Sequence, residues 1–154
     1  MIAQSPRTTA APRRRTFLGA VAALAAFAPL AALHAQAAAG KPNKVVLQVS
    51  DGDPQKWGLA LTNAYNVQND LGADTVELEI VVYGPGMGML KAHSPVAARV
   101  TSAMKSGVKV VACENSMTAQ NLAKADLVPG IGYVQAGVVE LMKKQQQGYA
   151  YVRP

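Results

Sequence analysis

After residue 40 the chain alternates between short apolar runs and stretches whose apolar positions recur at helical spacing. Lys44 to Ser50 is almost continuously apolar, which predicts a strand buried on both faces, as in a parallel sheet. Asp51-Gly52-Asp53-Pro54 reads as a turn in which Asp53 caps a helix and Pro54 takes its first position. Trp57, Leu61, Ala64 or Tyr65, and Leu71 then recur at helical spacing until Gly72. Thr75 to Tyr83 is a second strand. Its first half alternates apolar with acidic residues, which predicts a place at or near a sheet edge. Gly84 to Gly88 reads as a flexible glycine loop, and Ser94-Pro95 caps a helix that places Val96, Val100 and Ala103 or Met104 on the core and ends at Gly107.

Val108 to Cys113 forms the third strand, with Asn115 or Ser116 as the cap of a third helix carrying Met117 and Leu122. Asp126 to Gly130 breaks the pattern, and Ile131 to Val134 is a short strand. Gly137 to Gln147 predicts a fourth helix with Val138, Leu141, Met142 and Gln145 on one side and Gly148 closing it. Tyr149 to Val152 closes the chain as a fifth strand. Strands alternating with helices in this order predict a doubly wound α/β domain with a mostly parallel five-stranded sheet, flavodoxin-like in plan.

The first 39 residues do not share this pattern. Arg13-Arg14-Arg15-Thr16-Phe17-Leu18 precedes a mildly hydrophobic, alanine-rich run to Leu33 and small residues up to Gly40. That is the charged region, apolar region and small-residue cleavage zone of an export signal. Arg14-Arg15-Thr16-Phe17-Leu18 resembles the twin-arginine consensus. An uncleaved anchor is the alternative, but the run falls short of the roughly 20 strongly apolar residues of a membrane span. The expectation is an export signal over 1–39, a single domain over 40–154, a periplasmic location and no stable membrane anchoring after cleavage.

Charge follows the same division. Four of the 15 basic residues (Arg7, Arg13, Arg14 and Arg15) precede Gly40, where there is no acid, which leaves 11 bases against 9 acids in the domain. The basic character belongs to the leader, and a nucleic-acid partner is not expected. A mature chain of about 115 residues suffices for one modest core.

The single cysteine excludes an internal disulfide. Cys113 stands where a strand meets a helix N-terminus, so main-chain N–H groups and the helix dipole favour its thiolate. Two readings stand: a nucleophile or sulfur acceptor, and a small buried hydrophobe. Glu114 beside it opposes ionisation unless it points away. In a doubly wound sheet, ligands sit beyond the carboxyl ends of the strands. Asp51, the Gly84 and Gly86 turn, and Glu114, Asn115 and Ser116 are therefore expected to line a small-molecule pocket around Cys113. The glycine turn matches neither the dinucleotide fingerprint nor a P-loop. Met87, Met89, His93, Met117 and Cys113 form a sparse soft-metal candidate, and no metal or other cofactor is expected. His93 is the one histidine of the domain, so no second imidazole serves a hydrolase triad.

Several stretches together resemble the DsrE/DsrF-like family, in the branch known as intracellular sulfur oxidation proteins. They are Val111-Ala112-Cys113-Glu114-Asn115-Ser116-Met117, Asp126-Leu127-Val128-Pro129-Gly130, Val134-Gln135-Ala136-Gly137-Val138-Val139-Glu140-Leu141 and Gln147-Gly148-Tyr149-Ala150-Tyr151-Val152-Arg153-Pro154. The resemblance implies a three-layer α/β/α sandwich that assembles as a trimer or hexamer. It also implies that a cysteine at the position of Cys113 accepts sulfane sulfur as a persulfide and passes it between donor and acceptor proteins. The function expected is an exported sulfur carrier with sulfurtransferase-like chemistry. The alternative is a non-catalytic oligomeric module that binds a small ligand or soft metal.

Overall fold

The computed structural model describes residues 40–154; the export signal expected over 1–39 lies outside them. The elements run β1 (Asn43–Val49), α1 (Pro54–Leu71), β2 (Val76–Val82), a 3-10 helix (Gly84–Leu90), α2 (Ala97–Lys105), β3 (Lys109–Cys113), α3 (Glu114–Ala119), β4 (Gly132–Val134), α4 (Gly137–Gln146) and β5 (Ala150–Val152). The five strands form one sheet in the order β4-β3-β2-β1-β5, and every pairing is parallel. Among the described residues no helix is long and apolar enough to cross a membrane.

The chain adds β2, β3 and β4 outward from β1, then returns through α4 to place β5 on the other side of β1. Right-handed crossovers put the helices of the two directions on opposite faces. One face carries the main core, where Trp57, Ala60, Leu61 and Ala64 of α1 and Val100 of α2 pack on Leu47, Ile80, Val82 and Val110. The other face carries a smaller cluster of Val46, Val81, Val111, Leu141 and Tyr149 beneath α4. Burying Leu141 there contributes on the order of 1.5–3 kcal/mol.

Local signals fix the first unit as expected. Asp53 caps α1 by accepting from the Gln55 N–H at 2.9 Å, Pro54 opens the helix, and Gly72 ends it with φ +87°. Three expectations are corrected. The acidic strand β2 is internal, between β1 and β3. Glu77 reaches solvent because α4 covers that face only in part, but Glu79 is 1% exposed and neutralised by lysines. The stretch Gly84–Leu90 is a packed 3-10 helix, with Met87, Met89 and Leu90 fully buried. Its glycines serve close approach: a Cβ on Gly86 would stand 2.5 Å from the Val49 carbonyl oxygen, and one on Gly88 would stand 2.7 Å from the Trp57 ring. Finally, α4 buries Gly137, Leu141 and Lys144, whereas Val138 and Met142 face outward. A lysine takes the third inward position because Glu79 waits beneath it.

Candidate functional site

Cys113 is the last residue of β3 and the N-cap of α3, whose first helical residue is Glu114. The expected capping by Asn115 or Ser116 therefore gives way to a helix with no side-chain cap, and the Asn115 N–H donates to the Gln135 carbonyl at 3.1 Å. Beside it, β4 pairs with β3 (Cys113 opposite Val134), and the chain turns through Gln135 and Ala136 into α4. The sulfur thus lies where α3 and α4 both begin.

The surroundings of Sγ are polar. Burial alone pushes the thiol's pKa up. Against it act the Ser116 hydroxyl and the backbone N–H groups of Gly137, Ser116 and Asn115, and together they hold the thiol below its ordinary value. As a thiol, Cys113 faces the Gln135 carbonyl oxygen at 3.8 Å. Ser116 is well placed for its part: its Oγ accepts from the Gly84 N–H at 2.8 Å, which leaves the hydroxyl hydrogen to be given to sulfur. Glu114, the residue feared as an opposing charge, instead meets Lys124 at 3.6 Å. That exposed pair adds about 0–1 kcal/mol to stability. Its effect here is to turn the carboxylate outward.

The expected site residues divide into two groups. Asn115, Ser116 and Gly84 gather at Cys113, with Gly84 held by Ser116 on one side and by Gln120, whose Nε2 donates to the Gly84 carbonyl at 2.7 Å. Gly86 and Asp51 serve elsewhere. Gly86 is packed on β1, and its N–H reaches the Ser50 carbonyl at 3.2 Å. Asp51 follows β1, two strands from β3, where its carboxylate pairs with Arg153 at 3.4 Å and its carbonyl accepts from the Trp57 indole. The loops after β1, β2 and β3 are thus tied in a row along one sheet edge, with the thiol at one end and the Asp51–Arg153 pair at the other.

Three residues of the site went unnoticed in the sequence. Gly137 supplies an amide. Gln135 supplies the carbonyl, and its Nε2 donates to Asn115 Oδ1 at 2.7 Å. Tyr83 packs so tightly on Gly137 that a Cβ there would lie 2.9 Å from its ring. For Gln135 and Gly137 the signal lay in the Val134-Gln135-Ala136-Gly137 segment, which carried the family resemblance but no mark of contact with the sulfur; Tyr83 had no local signal.

The soft-metal candidate dissolves in this geometry. Met87, Met89 and Met117 belong to the main core, and His93 is exposed. Among the described residues no group of three or more His, Cys, Asp or Glu stands close enough to hold a metal ion. Cys113 itself is 4% exposed. A groove of about 260 Å³ between α1 and α2, lined by Leu61, Tyr65 and Arg99, lies away from it.

Comparison with known proteins agrees with this architecture. The DsrE/DsrF-like family profile matches residues 43–154. The chain belongs to the DsrE/DsrF-like family. No curated protein matches it. Among solved structures, the protein of unknown function MTH1491 from Methanobacterium thermoautotrophicum is 30% identical with a TM-score of 0.69, over 73% of this chain and 99% of that one. The conserved protein of unknown function BT1422 from Bacteroides thetaiotaomicron is 15% identical with a TM-score of 0.61, over 73% and 95% of the two chains. The ychN protein from E. coli is 12% identical with a TM-score of 0.57, over 73% and 98%. The last two share the fold alone.

Proposed function

We propose that this protein carries sulfane sulfur as a persulfide on Cys113. The observation that supports the reading best is the set of polar groups around the sulfur: main-chain amides from the starts of two helices and a hydroxyl. Such a shell holds a thiolate, and equally the negative terminal sulfur of a persulfide. The Cys113 thiolate attacks the outer sulfur of a donor R–S–SH; the Cys113 S–S bond forms as the donor S–S bond breaks, and the donor leaves as a thiolate that takes up a proton from solvent. The carrier then gives that sulfur to an acceptor thiolate by the same exchange. No net oxidant or reductant enters.

The test is mass spectrometry of the mature protein after exposure to a persulfide or polysulfide donor. The expected result is a gain of roughly 32 Da per sulfur that is removed by a thiol reductant and absent in Cys113→Ser. No adduct, with Cys113 still unalkylated in the folded protein, overturns the reading. A second reading, a non-catalytic oligomeric binding module, is favoured by one observation: Cys113 is 4% exposed, as inert cysteines are. The same experiment separates them.

The carrier is further read as exported by the twin-arginine route, on the strength of Arg14-Arg15-Thr16-Phe17-Leu18, and as periplasmic after cleavage. Its partners are copies of itself, in a trimer or hexamer, and a protein that donates or receives the sulfur. Exposed Val138 and Met142 on α4 and Tyr151 and Val152 on the edge strand β5 support self-assembly.

A further inference from the structure

The buried ion pair beneath α4 has no part in the sulfur site as described, yet it lies on the helix that supplies the Gly137 amide. Glu79 of β2 is 1% exposed, and its Oε2 stands 2.8 Å from Lys144 Nζ and 3.0 Å from Lys109 Nζ. These contacts are off hydrogen-bond alignment, and neither carboxylate oxygen has an aligned partner. Coulomb attraction depends on separation rather than angle, so they act as ion pairs. Lys144 also lies 4.7 Å over the Tyr149 ring and 3.8 Å from Glu140.

Holding two charges under a helix is an expensive way to attach it, since desolvation offsets much of their attraction. What an ion pair supplies and apolar packing does not is a single fixed point of attachment, because the attraction weakens with distance from one atom. Leu141 packs on Val46, Val81 and Val111, contacts that carry no charge. At the other end, the bare Cα of Gly137 faces the Tyr83 side chain, which limits approach but does not fix rotation. Lys144 is the inward residue that anchors α4 to one atom of the sheet.

We propose that Glu79 and Lys144 are positioning residues for Cys113: their pair sets the rotation and axial register of α4, and so keeps the Gly137 N–H on the sulfur. The inference rests on the thiolate reading of Cys113 given above. Direct charge effects are a poor explanation for any such coupling, because losing the Lys144 cation and losing the Glu79 anion would move the thiol in opposite directions, and Lys144 lies seven residues, or roughly 10 Å, along the helix from Gly137. Lys109 lies four residues, or roughly 13 Å, along β3 from Cys113. The titratable side chains on the elements around the sulfur are Tyr83 after β2, Lys109 on β3, Glu114 (paired with Lys124) on α3, Tyr133 on β4, and Glu140, Lys143 and Lys144 on α4.

The experiment is the pH profile of Cys113 alkylation by iodoacetamide in the mature protein, each rate referred to its own high-pH plateau. Wild type is expected to inflect below an ordinary thiol. In Lys144→Met and in Glu79→Gln the inflection moves up by about half a unit to one unit, so rates at low pH fall about three- to tenfold. Lys144→Arg, which keeps the anchor, and Lys109→Met, which leaves α4 tethered, return the wild-type profile. Lys144→Met combined with Glu140→Gln retains the shift, which excludes a released Glu140 charge as its cause. Circular dichroism confirms that each variant folds; if Lys144→Met does not, Glu79→Gln decides alone. A depressed wild-type inflection that neither variant moves, or a shift lost in the double variant, overturns the positioning role and leaves the thiolate reading standing. An ordinary wild-type inflection overturns both.

Discussion

Gly137 and Tyr83 touch where any other residue would collide: a Cβ on Gly137 would lie 2.9 Å from Tyr83 Cδ1 and 3.0 Å from its Cβ. The bare Cα lets α4 start against β2, and the amide of that same residue reaches Cys113. Packing and chemistry therefore share one position. Gly137→Ala is expected to push the helix start outward, lower stability by about 1–3 kcal/mol with a matching fall in melting temperature, and slow alkylation of Cys113 at neutral pH. A melting shift without any change in alkylation would confine Gly137 to packing.

The hydroxyl of Ser116 has a separate contribution. It lowers the thiol's pKa while accepting from the Gly84 N–H, which leaves its hydrogen free for the sulfur. Ser116→Ala removes the largest single influence that lowers the thiol's pKa and leaves the three amides in place. The alkylation profile is expected to shift upward but to stay below that of Gly137→Ala combined with Ser116→Ala. Equal profiles for wild type and Ser116→Ala would remove the hydroxyl from the account.

Linkage gives an independent check. The folded protein holds the Cys113 pKa below its ordinary value near 9.0, so the folded state releases this proton at lower pH than the unfolded chain does. Between the folded and the unfolded pKa, the unfolded state binds more protons, and stability rises with pH. The contribution is complete above about pH 9 and is lost as the pH falls through the folded value. Denaturant titrations of wild type and Cys113→Ser at several pH values are expected to diverge in wild type's favour as the pH rises. Parallel curves would mean that the thiol ionises alike in both states.

The junction at Cys113 was legible because both of its parts are local: a β-branched run ends, and a polar helix start follows. The rest of the site was not, for definite reasons. A glycine at a helix start looks the same whether its amide faces water or a sulfur, so Gly137 carried no mark. Glu77 and Glu79 alternate with apolar residues as in a strand with a wet face, but Glu79 is neutralised by Lys144, 65 residues further on. Asp51 was grouped with Cys113 because both follow strands at the same end of the sheet, before the strand order placed them two strands apart.

The glycines after β2 show the same limit and permit a sharp contrast. Gly86 faces main-chain atoms, with the Val49 carbonyl oxygen 2.5 Å and its carbon 2.9 Å from a would-be Cβ. Backbone in a central strand has little freedom to yield, so Gly86→Ala is expected to cost about 3 kcal/mol or more, or to prevent folding. Gly107 ends α2 with φ +90° and open space around it. Gly107→Ala meets only backbone strain, on the order of 1–3 kcal/mol. Thermal melts that rank the two the other way would show that the 3-10 helix yields where it is here tightly packed.

Self-assembly is the last expectation, and it turns on what covers α4. Its inward positions are filled by Gly137, Leu141 and Lys144, yet Val138 is 63% exposed and Met142 51% exposed, one helical turn apart. Nearby, β5 is a three-residue edge strand that leaves Tyr151 and Val152 about 40% exposed. An apolar stripe beside an open strand edge is a costly surface for a monomer to keep in water. Sizing chromatography of the mature protein at micromolar concentration is expected to give a species of three or more chains. Val138→Glu with Met142→Glu is expected to reduce it to single chains, while secondary structure persists, because neither side chain belongs to the core. If the double variant elutes with wild type, the assembly uses another face; if wild type itself runs as a single chain, the stripe has some other partner.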